Sequence, residues 1–172
     1  MISIEMAKHQ LEIYTWTQCW RGELATPSTQ RLSDFFNDQM HDYCNLVGAT
    51  LLTWDSGKLS EEKTFGTMSV HIKTILAVVR NIDPSPVKAD ATQRVQKQPA
   101  PVLIYAPPFT VEGKMHLIGG AKVFDAIDGA RQNFITLTDG MLLLDRTRLM
   151  PVPADLVLVN RQWMTAFRSI SG

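Results

Sequence analysis

Residues 13–37 read IYTWTQCWRGELATPSTQRLSDFFN, and residues 104–128 read IYAPPFTVEGKMHLIGGAKVFDAID. Laid over one another without a gap, these two stretches decide how the chain is read. Ile13-Tyr14 meets Ile104-Tyr105, Gly22 meets Gly113, Leu24 meets Met115, and Arg31-Leu32 meets Lys122-Val123. Asp34 falls on Asp125, Phe36 on Ile127 and Asn37 on Asp128. The same frame carries Tyr43-Cys44 onto Phe134-Ile135, Leu46 onto Leu137 and Leu51-Leu52 onto Leu142-Leu143. Identities are few, but the apolar positions agree almost throughout. After a loop two residues shorter in the second stretch, His71 meets Asn160, Ile75 meets Met164 and Ala77 meets Ala166. Self-similarity at a fixed spacing is the signature of a duplicated unit. The expected organisation is a first unit at 1–81, a Pro-rich linker at 82–101 and a second unit at 102–172.

Each unit reads as β-rich. Leu11 to Leu24 is rich in β-branched and aromatic residues and partly alternates, so one long strand is predicted, with Gly22, like Gly113, marking a bulge or bend. Pro27, Ser28 and Thr29 are turn residues. Leu32, Phe35 and Phe36 then fall on one face of a helical turn, repeated by Val123, Ala126 and Ile127. Asp42 to Trp54 reads as a strand closed by the turn Asp55-Ser56-Gly57-Lys58, and Thr67 to Arg80 as one or two strands. Asn133 to Asp145 and Leu156 to Ile170 are the second-unit equivalents. The predicted fold class is all-β with short helical turns: two tandem small β-barrels, each closing around its own apolar centre. Between them, Pro84, Pro86, Pro99 and Pro101 favour an extended, exposed linker.

The segment RLSDFFN, Arg31 to Asn37, resembles a group of uncharacterised small bacterial β domains. In these a strand ending near a Gly is followed by an R-L-S-D-x-L-N motif, then a strand and a final apolar strand. The first unit carries the motif with Phe36 in place of the Leu. The second, Lys122 to Asp128, keeps the apolar positions and Asp125. The layout also looks like an Sm-like or SH3-like barrel. The resemblance implies a fold and no activity. Sm proteins carry an acidic-Asn loop and an Arg-Gly loop that contact RNA, and both are not found here at equivalent positions.

Composition narrows the function classes. The chain has 172 residues, 45% hydrophobic and 20% charged, with 17 basic and 17 acidic side chains and a formal net charge of zero. A domain that grips phosphate backbones electrostatically carries a basic excess, so nonspecific nucleic-acid binding is disfavoured. No apolar run approaches the ~18 residues of a membrane span. Met1 to Gln10 lacks the apolar core of a signal peptide, and a cytoplasmic location is expected. Cys19 and Cys44 read as buried small hydrophobes. No nucleophile elbow, phosphate-binding glycine loop or metal-ligand spacing occurs, and His9, His41, His71 and His116 are scattered. No enzyme activity, cofactor or metal is expected.

The most suggestive polar cluster is Arg31, Asp34 and Asn37. Arg31 and Asp34 are neighbours on a helical turn and could pair, as a ligand or partner contact. The plainer reading has Ser33 or Asp34 capping the helix and Asn37 ending it. Trp16, Trp20, Trp54 and Trp163 could stack on bases, but are more often core or interface residues. Arg146, Arg148, Arg161 and Arg168 form the basic concentration of the second unit. The candidate binding residues are therefore Arg31, Asp34, Asn37, Trp54 and Arg161. Small β units must cover their open strand edges, and another subunit is one way of doing so. The leading expectation is a non-enzymatic binding or assembly module that self-associates, or meets a protein partner, through those edges. The alternatives are an Sm-like RNA- or nucleotide-binding protein and a small-ligand site between the two units.

Overall fold

The computed structural model describes residues 5–55, 58–80, 97–144 and 151–170. Among these, the first half of the chain supplies β1 (Met6–Thr15), β2 (Cys19–Pro27), α1 (Leu32–Asn37), β3 (Tyr43–Asp55), β4 (Lys58–Thr64), β5 (Thr67–His71) and β6 (Ile75–Arg80). The second half supplies β7 (Lys97–Ala106), β8 (Phe109–Ile118), α2 (Val123–Asp128), β9 (Phe134–Leu144), β10 (Val152–Asn160) and β11 (Ala166–Ser169). A 3-10 turn, Ile72–Thr74, joins β5 to β6, and another, Arg161–Trp163, joins β10 to β11. The fold is all-β. No helix among the described residues is long and apolar enough to cross a membrane.

The predicted strand over Leu11 to Leu24 is in fact a hairpin. β1 and β2 pair from Met6↔Pro27 to Tyr14↔Cys19. The turn carries none of the Gly or Asn residues that usually announce one. It is closed by Thr15 instead: the Gln18 amide donates to Thr15 Oγ1 at 3.1 Å, and the Thr15 amide donates to the Gln18 carbonyl at 2.9 Å. Gly22 and Gly113 do sit at irregularities. The register shifts between Arg21 and Glu23 where β2 meets β3, and between Glu112 and Lys114 where β8 meets β9. A Cβ at Gly22 would lie 3.0 Å from Leu46 Cβ, and one at Gly113 would lie 3.0 Å from Leu137 Cβ. In both places the backbone approaches its neighbour so closely that only glycine fits without displacement.

The expected pair of closed barrels with private centres does not form. One antiparallel sheet runs through both halves in the order β11-β7-β8-β9-β10-β6-β1-β2-β3-β4, with β5 also hydrogen-bonded to β3, and it is not closed. The halves join where β6 pairs with β10, from Ala77↔Val159 to Arg80↔Leu156. β6 explains why. Ile75-Leu76-Ala77-Val78-Val79 shows no alternation and is buried throughout. A strand apolar on both faces needs cover on both. Each fully buried Ile, Leu or Val contributes roughly 1.5–3 kcal/mol.

Two apolar clusters supply that cover, and each draws on both halves. One gathers Leu11, Ile13, Leu32, Phe35, Phe36, Leu46 and Val78 with Phe134 and Leu158 of the second half. The other gathers Ile104, Val111, Ile127, Leu137, Val157 and Val159 with Tyr14, Cys19, Leu52, Leu76 and Val79 of the first. Leu11 and Ile13 therefore face one cluster while Tyr14 faces the other. Val78 and Val79 divide in the same way. At one end of the seam Arg80 grips Asp155 with two nitrogens, Nε at 3.1 Å and Nη2 at 2.9 Å from Oδ2.

The Pro-rich segment also ends earlier than expected. Residues 97–101 already belong to β7, paired from Lys97↔Ile118 to Pro101↔Lys114. Pro99 and Pro101 fit because this stretch precedes the pairing with β11, which begins at Val102. The Pro101 carbonyl accepts from the Ile170 amide on the side away from β8, so the missing proline N–H is not one that β8 needs. Residues 82–96 lie outside the described residues.

Candidate functional site

α1 forms because Leu32, Phe35 and Phe36 bury one face of its short turn. Arg31 stands at its N-cap with no side-chain cap, so neither Ser33 nor Asp34 plays the capping role expected. Arg31 and Asp34 are exposed and make no ion pair with each other. Asn37 is the last residue of α1, as the plainer reading has it, and its side chain also reaches beyond the helix. Its Nδ2 donates to the Ser33 carbonyl at 2.9 Å and to the Phe134 carbonyl at 3.2 Å. Its Oδ1 accepts from the Phe134 amide at 2.8 Å. One side chain thus holds both backbone groups of the first residue of β9. The Phe36 ring lies 5.6 Å from the Phe134 ring beside it. Asn37 is a clamp between the halves.

Arg31 and Asp34 instead border a cleft of about 400 Å³ between the halves. Its other walls include Ser33, Lys97, His116, Gln132 and the apolar Met115 and Ile135. Arg31 and Lys97 bring two positive charges to its rim, neither in an ion pair among the described residues. His116 is held by Thr138 Oγ1 at 2.7 Å. Lys97 and His116 were not foreseen, since only the sheet places them opposite α1.

Arg161 sits in the second 3-10 turn. Its amide donates to the Asn133 carbonyl at 2.7 Å, and its Nη1 reaches the Ile127 carbonyl at 3.5 Å. It borders a second cleft of about 550 Å³ with Phe124, Ile127, Asp128, Met164 and Phe167. Trp54 is carried by β3 opposite Leu59, and its side chain lies outside the described residues. So do Arg146 and Arg148. The candidate residues are therefore not brought together at one place.

The tryptophans divide. Trp20 is buried against Phe65, with ring centres 5.7 Å apart. Trp16 and Trp163 meet edge to face at 5.5 Å across the two halves, and the Trp163 indole N–H donates to the Lys73 carbonyl at 3.3 Å. These contacts describe interface residues.

A buried polar cluster lies between β1 and β2. The Tyr14 hydroxyl donates to Glu12 Oε2 at 2.7 Å, while Arg21 donates to Glu12 Oε1 through Nε at 3.1 Å and Nη2 at 2.8 Å. Burial, then the neighbouring Cys19 and the Glu12 carboxylate, push the Tyr14 hydroxyl well above its usual range. Burial, then Glu12, does the same to the Cys19 thiol. Burial raises the Cys44 thiol to about 12. A nucleophilic cysteine needs the opposite shift, toward thiolate. Both cysteines are free and buried. Among the described residues no group of three or more His, Cys, Asp or Glu side chains could hold a metal ion.

Among the described residues β11, at one end of the sheet, is hydrogen-bonded to β7 alone, and at the other end β4 and β5 both lie along β3 and pair with no other strand. Beside β5, Tyr43 is 55% exposed, and beside β11, Phe124 is 62% exposed. No protein-family model, curated protein or solved structure matches this chain.

Proposed function

We propose that this chain is a binding and assembly module that works through its exposed strand edges rather than an enzyme. The observation that carries the reading is the open sheet: among the described residues β5 and β11 each pair with a single strand, leaving the other edge without a strand partner, with Tyr43 and Phe124 exposed alongside. Open edges of this kind are templates for pairing with another chain.

We read the two halves as copies of one Sm-like or SH3-like unit. Matching positions in each half support this. Leu46 and Ala49 crowd Gly22 as Leu137 and Gly140 crowd Gly113. Tyr14↔Ala77 pairs β1 with β6 as Tyr105↔Ala166 pairs β7 with β11. A 3-10 turn precedes the last strand of each half. Sedimentation of the full chain over a wide concentration range tests the assembly reading. A rise in mass with concentration is expected, and a monomer throughout overturns it.

A second reading rests on the cleft between the halves. Arg31 and Lys97, against the single carboxylate of Asp34, leave its rim net positive and suit a small anionic ligand. Thermal-shift titration with inorganic phosphate and with mononucleotides tests it. Stabilisation lost in Arg31→Ala supports the reading, and no shift with either probe removes it.

A further inference from the structure

We infer that the chain joins end to end with a second copy of itself, β11 of one molecule pairing antiparallel with β5 of the next, as β6 and β10 pair within the chain. This rests on the assembly reading above and names its edges and its partner.

The internal seam is the template. β10 leads through a 3-10 turn into β11 as β5 leads through a 3-10 turn into β6. β10 is therefore to the second half what β5 is to the first, and β11 is what β6 is. β6 and β10 pair with each other, while among the described residues their counterparts β11 and β5 each pair on one side only. Ala77, Val78, Val79 and Arg80 correspond to Ala166, Phe167, Arg168 and Ser169. Leu156, Leu158 and Val159 correspond to Thr67, Ser69 and Val70. Transferring the observed register sets Ala166 opposite Val70, Phe167 opposite Ser69 and Ser169 opposite Thr67 of the next copy.

The backbone faces the right way. The Ile170 amide is spent on the Pro101 carbonyl of β7, and the Ile72 amide on the Asp42 carbonyl beside β3. Alternation along a strand then turns the Phe167 and Ser169 amides, and those of Thr67 and Ser69, toward the open edges. The side chains fit as well. At the internal seam the Phe134 ring packs on Phe36 of α1 and is 1% exposed. Its counterpart, Tyr43, is solvent-facing. The counterpart of its receiving site is the cleft bordered by Phe124, Ile127, Asp128, Met164 and Phe167. A largely exposed aromatic ring, covered on one side by the His71 ring 4.9 Å away, and a cleft that could receive it thus stand at opposite ends of one molecule.

A buried polar atom adds to this. Asn160 donates through Nδ2 to the Ile75 carbonyl across the internal seam at 2.9 Å. Its counterpart is His71, whose Nδ1 is buried without a hydrogen-bond partner among the described residues. Docking brings that imidazole to the Met164 carbonyl, the counterpart of Ile75. The Arg80–Asp155 ion pair is not repeated, since Ser169 and Gly66 take those places. The joint between molecules is therefore weaker than the seam within one, and association depends on concentration. Because the two edges differ, each molecule uses both. The product is a ring if the rotation closes and a filament otherwise.

The test uses the full chain carrying Ser69→Cys, mixed with the full chain carrying Phe167→Cys, under mild oxidation. Disulfide-linked heterodimers in excess over either homodimer are expected. Ser69→Pro, which removes an outward amide from an edge strand, weakens self-association at least tenfold in sedimentation, with circular dichroism reporting its folding. If Ser69→Pro does not fold, the cysteine mixture decides. Assembly of the unmodified chain without preferential heterodimers overturns this pairing and leaves the assembly reading standing. A monomer at every concentration overturns both.

Discussion

Replacing Asn37 by Ala removes three hydrogen bonds that no neighbouring side chain supplies: two to the Phe134 backbone and one to the Ser33 carbonyl. A hydrogen bond contributes about 1 kcal/mol net, and a buried polar group left unpaired costs about 1–3 kcal/mol. Phe134 is 1% exposed, so its N–H and C=O are poorly placed to recruit water. Asn37 itself is half-buried, which admits some solvent and pulls the sum toward the lower end. The expected loss is about 2–4 kcal/mol, or a melting temperature lower by about 5–15 °C for a chain of this length. Urea denaturation followed by far-ultraviolet circular dichroism, at a concentration where the chain is monomeric, measures it. Asp128→Ala is the matched control. Asp128 is the counterpart of Asn37 but makes no such clamp within the molecule, and its replacement should stay within about 0.5 kcal/mol of the parent. Equal effects of the two substitutions, or a loss below about 0.5 kcal/mol for Asn37→Ala, would refute the clamp.

Gly113→Ala should destabilise by about 1–3 kcal/mol in the same assay, because the added methyl meets Leu137 Cβ, an atom fixed to its backbone and unable to rotate away. A neutral result would mean that β8 and β9 part easily at the bulge. Cys19 and Cys44 should resist a thiol-specific disulfide reagent at pH 8 in the native protein and react fully in denaturant; rapid native labelling would contradict their burial. Burial raises the Cys44 thiol above its unfolded value of 9.0 to about 12. Its contribution to stability is therefore complete below pH 9 and is lost as pH climbs from 9 through 12. Unfolding free energy that stays flat across that alkaline window would count against it.

The positions that the sequence brought into register are informative beyond their few identities. The glycine at 22 and 113 needs no long-range knowledge to be suspicious, since a glycine in an otherwise apolar strand advertises close approach. Leu32, Phe35 and Phe36 announce a helical turn with one buried face, and α1 buries all three. The hairpin at Thr15 to Gln18 was illegible because its closure relies on a threonine hydroxyl rather than on residues that favour positive φ. The roles of the candidate polar residues were equally hidden. Asn37 binds a residue ninety-seven positions away, and Arg31 shares a cleft with Lys97 and His116 only because β7 and β8 pass beside α1.

The all-β class, the recurring order of elements, the short helices and the buried cysteines all follow from local pattern, because periodicity, turn chemistry and residue size act over a few neighbouring residues. That β6 pairs with β10, that the two halves share their cores, and that among the described residues β5 and β11 pair on one side only follow from which apolar faces find cover. That choice is made between segments far apart in the chain, by a competition among burial alternatives that no local stretch of residues records.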